Sequence, residues 1–188
     1  MIDEPIVREI VESGADVVSF SGDKLLGSAQ AGLIVGRRAI VSRLRKHPLY
    51  RALRSDKLRL AALEATLVSH QRDVAEGEVP VVQMLAVTGE ELEQRARSLI
   101  ERIPQTGVVL ELLAGESAVG GGAGPTSNLP TMLIAVSHPN RTAQEIERQL
   151  RTASPPIIAR ISEGKVLLDL RTVFADQLEA LCAALKLF

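Results

Sequence analysis

Lys24 lies in the segment Ser21-Gly22-Asp23-Lys24-Leu25-Leu26-Gly27-Ser28-Ala29-Gln30, between two strand-like apolar runs at residues 16–20 and 32–35. A lysine on a glycine-bracketed loop between apolar strands sits where burial can depress the pKa of its amine. A neutral amine is what Schiff-base chemistry requires. A loop lysine is more commonly a solvated cation, and the loop alone leaves both readings open. Arg51 and Arg54 form a second candidate set. Their i, i+3 spacing would put both guanidinium groups on one face if the segment is helical. Paired guanidinium forks suit a tetrahedral oxyanion better than ammonium groups do. The plainer reading of this pair is an ordinary basic surface.

The arginine pair sits inside a larger asymmetry. Residues 37–59 carry nine Lys/Arg and one acid, a local charge of +8, while the whole chain is at −1 and the remainder therefore at −9. So one-sided a block repels itself unless something anionic answers it. The answer is either acidic surface of the same fold or a phosphate-bearing ligand, and charge alone does not choose. Other chemistry-bearing residues are less pointed. Cys182 falls on the apolar side of a terminal amphipathic helix and reads as core. His47, His70 and His138 are too scattered for a metal site, so no metal is expected. Gly120-Gly121-Gly122 lacks the lysine and hydroxyl spacing of a P-loop and reads as a turn.

These residues need elements to position them. Ile6, Val7, Ile10 and Val11 recur at helical spacing, and Gly14 closes that helix. After the two strands comes a basic helix over residues 37–46. Pro48 then opens a further turn, and a long helix over residues 55–73 carries Leu58, Ala61, Ala62, Ala65 and Leu67 as its apolar stripe. The Glu76-Gly77-Glu78-Val79-Pro80 break suggests a domain boundary, giving domains 1–78 and 79–188. Thr88 with Glu91 and Thr142 with Glu145 form capping-box patterns that open helices. Strands are expected at 107–113, 131–136, 156–161 and 166–170, the last two joined by a hairpin at Ser162-Glu163-Gly164-Lys165. The second half is thus an α+β layer of helices over a small, largely antiparallel sheet.

Composition narrows the class. With 188 residues, 46% apolar and near-zero net charge, the chain can build a core and is not disordered. No apolar run approaches the ~18 residues that span a bilayer, and no secretory leader is expected from the first residues. A single cysteine excludes an intrachain disulfide. Three Phe, one Tyr and no Trp argue against a base-stacking surface. A soluble cytoplasmic domain is the expectation.

Several motifs occur together and in order. Ser19-Phe20-Ser21-Gly22-Asp23-Lys24-Leu25-Leu26-Gly27 is followed by Gln30-Ala31-Gly32, His47-Pro48-Leu49, Arg51-Ala52-Leu53-Arg54, Leu60-Ala61-Ala62-Leu63-Glu64-Ala65-Thr66-Leu67, and Leu167-Leu168-Asp169-Leu170-Arg171. This succession closely resembles the bacterial selenocysteine synthases (L-seryl-tRNA(Sec) selenium transferases), which are fold-type-I pyridoxal-phosphate enzymes. The resemblance implies an α/β fold, here an incomplete cofactor-binding large domain followed by a small α+β carboxy-terminal domain.

It also implies roles. Lys24 matches the lysine that holds pyridoxal 5'-phosphate as an internal aldimine, and Asp23 an acid kept beside it in the site. Ser21 is a possible donor to the cofactor phosphate, while Arg51 and Arg54 match arginines that grip the phosphate of the selenium donor. The implied reaction converts seryl-tRNA(Sec) to selenocysteinyl-tRNA(Sec) with selenophosphate, through an aminoacrylyl-tRNA intermediate, in an enzyme that associates with further copies of itself. Two other readings stay open. One is a pyridoxal-phosphate ammonia-lyase or eliminase of the same superfamily acting on a small phosphorylated amino acid or sugar acid. The other is a non-catalytic oligomerising remnant. Two departures stand out: Ser28-Ala29 replaces an expected Gly-Pro, and 23 residues before Lys24 are too few for the rest of such a cofactor domain. The expectation is therefore a carboxy-terminal fragment, inactive alone.

Overall fold

Paired strands separated by helices follow one another along the chain, and the strands form two separate sheets, one of two strands and one of four. A computed structural model provides the fold and describes residues 5–104, 107–119 and 128–188. The expected turn at Gly120-Gly121-Gly122 lies outside the described residues. The described residues form two compact units, one up to Ala86 and the other from Val87 onward. The sequence boundary near Gly77 falls inside the first unit, because helices α5 (Ala75–Glu78) and α6 (Pro80–Ala86) pack on each other and Val79 and Val81 close on the turn at Gly27.

In the first unit, α1 (Val7–Glu12) ends at Gly14, whose φ of +99° suits a residue without a Cβ. Strand β1 (Val17–Ser21) pairs antiparallel with β2 (Gly32–Gly36), from Val17↔Gly36 to Ser21↔Gly32. The two strands form a sheet of their own, and alternate residues along it are exposed, so the apolar runs are covered on one face only. Helix α2 (Arg38–Lys46) is followed by α3 (Pro48–Ala52), whose first turn receives Pro48 where its missing N–H costs nothing. Asp56 caps α4 (Lys57–Gln71), its Oδ1 accepting from the Arg59 N–H at 2.9 Å. The expected stripe of α4 is exposed throughout. The side of α4 that turns inward carries Leu63, Thr66, Ser69 and His70, because Leu58, Ala61, Ala62, Ala65 and Leu67 meet no covering element among the described residues.

The second unit has the conventional inside and outside of a layered α+β domain. Four antiparallel strands lie in the order β3-β4-β6-β5: β3 (Val109–Ala118), β4 (Asn128–Ser137), β6 (Lys165–Asp169) and β5 (Arg160–Ser162). Leu110, Ile134, Val136, Val166 and Leu168 share one sheet face, as their register requires. They bury against Leu92, Ala96 and Leu99 of α7 (Gly89–Glu101), Ile146 and Leu150 of α8 (Ala143–Arg151), and Leu181, Cys182 and Leu185 of α9 (Leu178–Leu185). Cys182 is wholly buried, in keeping with its reading as core. The β5–β6 hairpin forms as anticipated. Glu163 and Gly164 both have positive φ, the signature of a two-residue type I′ connection. Strand β5 starts later than the apolar run suggested: Pro156 has no N–H to give a ladder, and Ile157 N–H donates instead to Leu150 O at 2.9 Å. No helix of the described residues is long and apolar enough to cross a membrane.

Both capping boxes form in full. Thr88 N–H donates to Glu91 Oε2 at 2.8 Å and Thr142 N–H to Glu145 Oε2 at 2.7 Å. Those backbone hydrogen bonds are the main reason both carboxyls are held below their ordinary value of 4.5. A lowered folded-state value adds stability above the unfolded value, and that stability fades as pH falls through the folded one. The double variant Glu91→Gln/Glu145→Gln keeps the acceptors but cannot titrate. Its melting temperature should therefore fall less than the wild type's when pH drops below 4.5, as followed by circular dichroism.

Candidate active site

The Lys24 loop is pinched at its base and turned tightly at its tip. Gly22 N–H donates to Ala31 O, and Ser28 N–H to Gly22 O, both at 2.8 Å. Gly22 is buried where a Cβ would stand 2.8 Å from Ala29 O, so no side chain fits without opening the pinch. At the tip, Gly27 N–H donates to Lys24 O at 2.9 Å, closing a turn over residues 24–27. Gly27 has φ of +77°, and a Cβ there would lie 2.4 Å from Cγ1 of both Val79 and Val81. His70 Nε2, from α4, meets Leu26 O at 3.0 Å.

Gly27→Ala would therefore combine left-handed strain with collision against two branched side chains. It should cost the first unit about 2–3 kcal/mol. Gly14→Ala is the matched control, since Gly14 also has positive φ but nothing stands within 4 Å of its absent Cβ. There a loss of about 1 kcal/mol is expected in thermal unfolding. Equal losses in the two variants would contradict the wall that Val79 and Val81 form.

Beside this turn lies a cavity of about 620 Å³ whose wall includes Ser19, Phe20, Ser21, Lys24, Leu25 and His70. Lys24 is exposed, the solvated one of the two readings that the loop leaves open. Ser21, at the end of β1, brings its hydroxyl to the same wall. Asp23 is exposed next to Lys24 and does not line the cavity. Arg51 is on α3, but that helix stops at Ala52, so Arg54 lies in the connection before α4 and the pair does not share one helix. Both arginines are exposed, and neither lines the cavity. The structure thus groups Lys24 with Ser21 and leaves the arginines apart from them.

The basic segment stays largely unanswered within the fold. Among the described ion pairs, Arg37–Asp16 at 2.9 Å and Arg59–Asp56 at 2.5 Å are those that reach it. No cluster of three or more metal-ligating side chains occurs among the described residues. His70 is the functional candidate the sequence did not single out. It sits on α4 away from the apolar stripe, and that inward-facing polar position was its one available signal.

The cavity suits pyridoxal phosphate at its lysine end. Its volume is within the ~300–1,000 Å³ of small-ligand pockets; it joins an amine and a serine hydroxyl to an apolar wall of Phe20, Leu25 and Leu26. No carboxylate that could pair with a pyridine nitrogen lines it among the described residues.

Comparison with known proteins bears on the whole chain. The model of the L-seryl-tRNA selenium transferase family matches residues 1–174. An L-seryl-tRNA(Sec) selenium transferase from Geotalea daltonii is 49% identical over 97% of this chain, and one from Aquifex aeolicus is 40% identical over 98%. The chain spans 40% and 41% of those two proteins. A solved D-glucosaminate-6-phosphate ammonia-lyase superposes with a TM-score of 0.57 at 26% identity, covering 94% of this chain and 44% of that one.

Proposed function

We propose, since this chain belongs to the L-seryl-tRNA selenium transferase family, that it carries the cofactor lysine of an enzyme converting seryl-tRNA(Sec) to selenocysteinyl-tRNA(Sec). The observation that supports this most is the placing of Lys24 and Ser21 on one cavity wall, at the end of a loop pinned by Gly22 and Gly27. In this reading the chain is the carboxy-terminal portion of a fold-type-I enzyme. The rest of the cofactor's surroundings, including an acid for its ring nitrogen, comes from the part of the family sequence that this chain does not span.

Pyridoxal phosphate, when bound, supplies an electron sink for charge developing at the substrate's Cα. The chain's own residues do the remainder. The Lys24 amine would hold the cofactor and, when free, would accept the Cα proton. Ser21 Oγ would donate to the cofactor phosphate, and Asp23 would supply a negative charge beside the amine. Arg51 and Arg54 hold selenophosphate as exposed guanidinium forks. Overall, the seryl hydroxyl is exchanged for a selenol and inorganic phosphate is the other product. The exposed apolar residues Leu49, Tyr50, Leu53 and Leu58 support association with further polypeptide, including other copies of the chain.

The likeness to the ammonia-lyase structure favours a second reading, elimination on a small phosphorylated sugar acid or amino acid. Salt dependence separates the two: the first predicts seryl-tRNA(Sec) binding that weakens steeply with salt, and the second predicts no tRNA binding. The cofactor assignment itself is tested by treating the chain with pyridoxal phosphate and borohydride. One reduced pyridoxyl group on Lys24 is expected in peptide maps. Labelling spread over Lys46 and Lys57 with Lys24 spared would overturn the assignment and favour a non-catalytic remnant.

A further inference from the structure

We propose that His70 is a positioning residue for Lys24, a role that rests on Lys24 being the cofactor lysine. His70 stands near the end of α4, 44 residues from the loop it touches, and its Nε2 lies 3.0 Å from Leu26 O. A carbonyl oxygen only accepts, so Nε2 must carry the hydrogen whichever charge the ring has. That fixes Nε2 as a donor to the loop and withholds it from proton transfer. His70 also lines the cavity that Lys24 lines, so the contact is made at the site and not behind it.

The histidine can act as a fixed point only if α4 is itself held there. It is: the neighbouring Ser69, 9% exposed, has its Oγ 2.6 Å from Glu78 Oε2 on α5, and Val74 N–H donates to Ser69 O at 3.0 Å. The same corner meets the loop a second time, through Val79 and Val81 against Gly27. The turn that begins at Lys24 is therefore held at Leu26 by a hydrogen bond and at Gly27 by packing. Because Gly27 N–H also donates to Lys24 O at 2.9 Å, holding Leu26 and Gly27 restrains the Lys24 backbone and with it the direction of its Cα–Cβ bond. An exposed lysine on an otherwise open ribbon would keep a defined direction toward the cavity by this means.

The test uses the 188-residue chain and the variants His70→Ala, His70→Gln and His70→Asn. A glutamine amide reaches about as far as Nε2 and can donate to Leu26 O; asparagine is shorter. Amide hydrogen exchange over residues 22–28 should speed up about fivefold in His70→Ala, as loss of one hydrogen bond implies. His70→Gln should restore the wild-type rate and His70→Asn should not, while exchange in β4 stays constant in all three. Borohydride-fixed pyridoxyl labelling of Lys24, per mole of chain, should fall and recover in the same order.

Unchanged exchange in His70→Ala, or equal rates in the Gln and Asn variants, would overturn the positioning role. If His70→Ala unfolds the first unit, the Gln and Asn comparison carries the decision. A wild-type chain that takes no label at Lys24 would instead overturn the cofactor reading, and the exchange measurements would still decide whether His70 holds the turn.

Discussion

The chain with Lys24→Ala should take no pyridoxyl label at position 24, and in any assembly where the wild-type chain turns over, it should lose at least about a thousandfold in rate. Two effects combine in that loss. In the proposed role the cofactor would lose its covalent anchor, and the Cα proton would lose the amine that receives it. Lys24→Arg separates charge from chemistry. Arginine keeps the positive charge and much of the length, but its guanidinium does not deprotonate at working pH and cannot serve as the amine. If Lys24 served only as an exposed cation, Arg would restore function. In the proposed role it fails as completely as Ala.

Both variants are expected to fold, because Lys24 is exposed and substitutions at exposed positions usually shift stability little. Melting temperatures within a degree or so of wild type should accompany the loss. That combination, intact fold with no adduct, separates Lys24→Ala from Gly27→Ala, in which label and stability should fall together.

The Lys24 loop was legible because each of its features is local. Two glycines, a short span and flanking strand-like runs define a turn without reference to the rest of the chain. The capping boxes at Thr88 and Thr142 and the Glu163-Gly164 hairpin were legible for the same reason, since a four-residue pattern decides each one. What failed depended on tertiary surroundings. The stripe on α4 has sound helical spacing, yet the helix turns Leu63, Thr66, Ser69 and His70 inward instead. Periodicity reports that a face is apolar, not that a partner is present to cover it. The exposure of Lys24 likewise depends on what surrounds the loop, which its own residues leave open and the described structure resolves as exposed.

The arginine pair shows the limit of spacing arguments. An i, i+3 relation presumes a continuous helix, and α3 stops between the two residues. Ser28 illustrates the opposite case. It departs from the family's expected glycine, and its hydroxyl is buried with no hydrogen-bond partner among the described residues. A buried unpaired hydroxyl carries a cost that glycine would not. A substitution visible in sequence thus has a definite physical correlate beside the turn that bears Lys24.

Replacing Arg171 by leucine should destabilise the second unit by about 3–5 kcal/mol, the usual cost of removing one member of a buried charged network. Arg171 is only 6% exposed. Its Nη1 donates to Val87 O and its Nη2 to Pro130 O, each at 2.7 Å, while Nε donates to Ser117 Oγ at 3.1 Å. Ser117 in turn donates to Asp169 Oδ2 at 2.5 Å, and Thr131 Oγ1 donates to Asp169 Oδ1 at 2.9 Å. The guanidinium therefore ties together the start of α7, strands β3 and β4, and the end of β6. Burial pulls its pKa below the ordinary value, and the Asp169 carboxylate works against that pull.

In Arg171→Leu the carboxylate stays where it is without its countercharge, and two carbonyls lose their donors. Arg171→Lys should recover only part of the loss, because a single ammonium cannot serve three acceptors in a plane. Asp169→Asn alone should cost less, about 1–2 kcal/mol, since the amide keeps one acceptor. The double variant Arg171→Leu/Asp169→Asn should then be more stable than the sum of its parents predicts, the stranded charge having gone. Cys182 offers a local readout. It is the chain's one cysteine and is fully buried in the same unit. Its reaction with a thiol reagent should follow the opening of that unit and run about two to three and a half orders of magnitude faster in Arg171→Leu, by ~1.4 kcal/mol per tenfold from the range above. A rate within about threefold of wild type would show that the network contributes specificity without net stability.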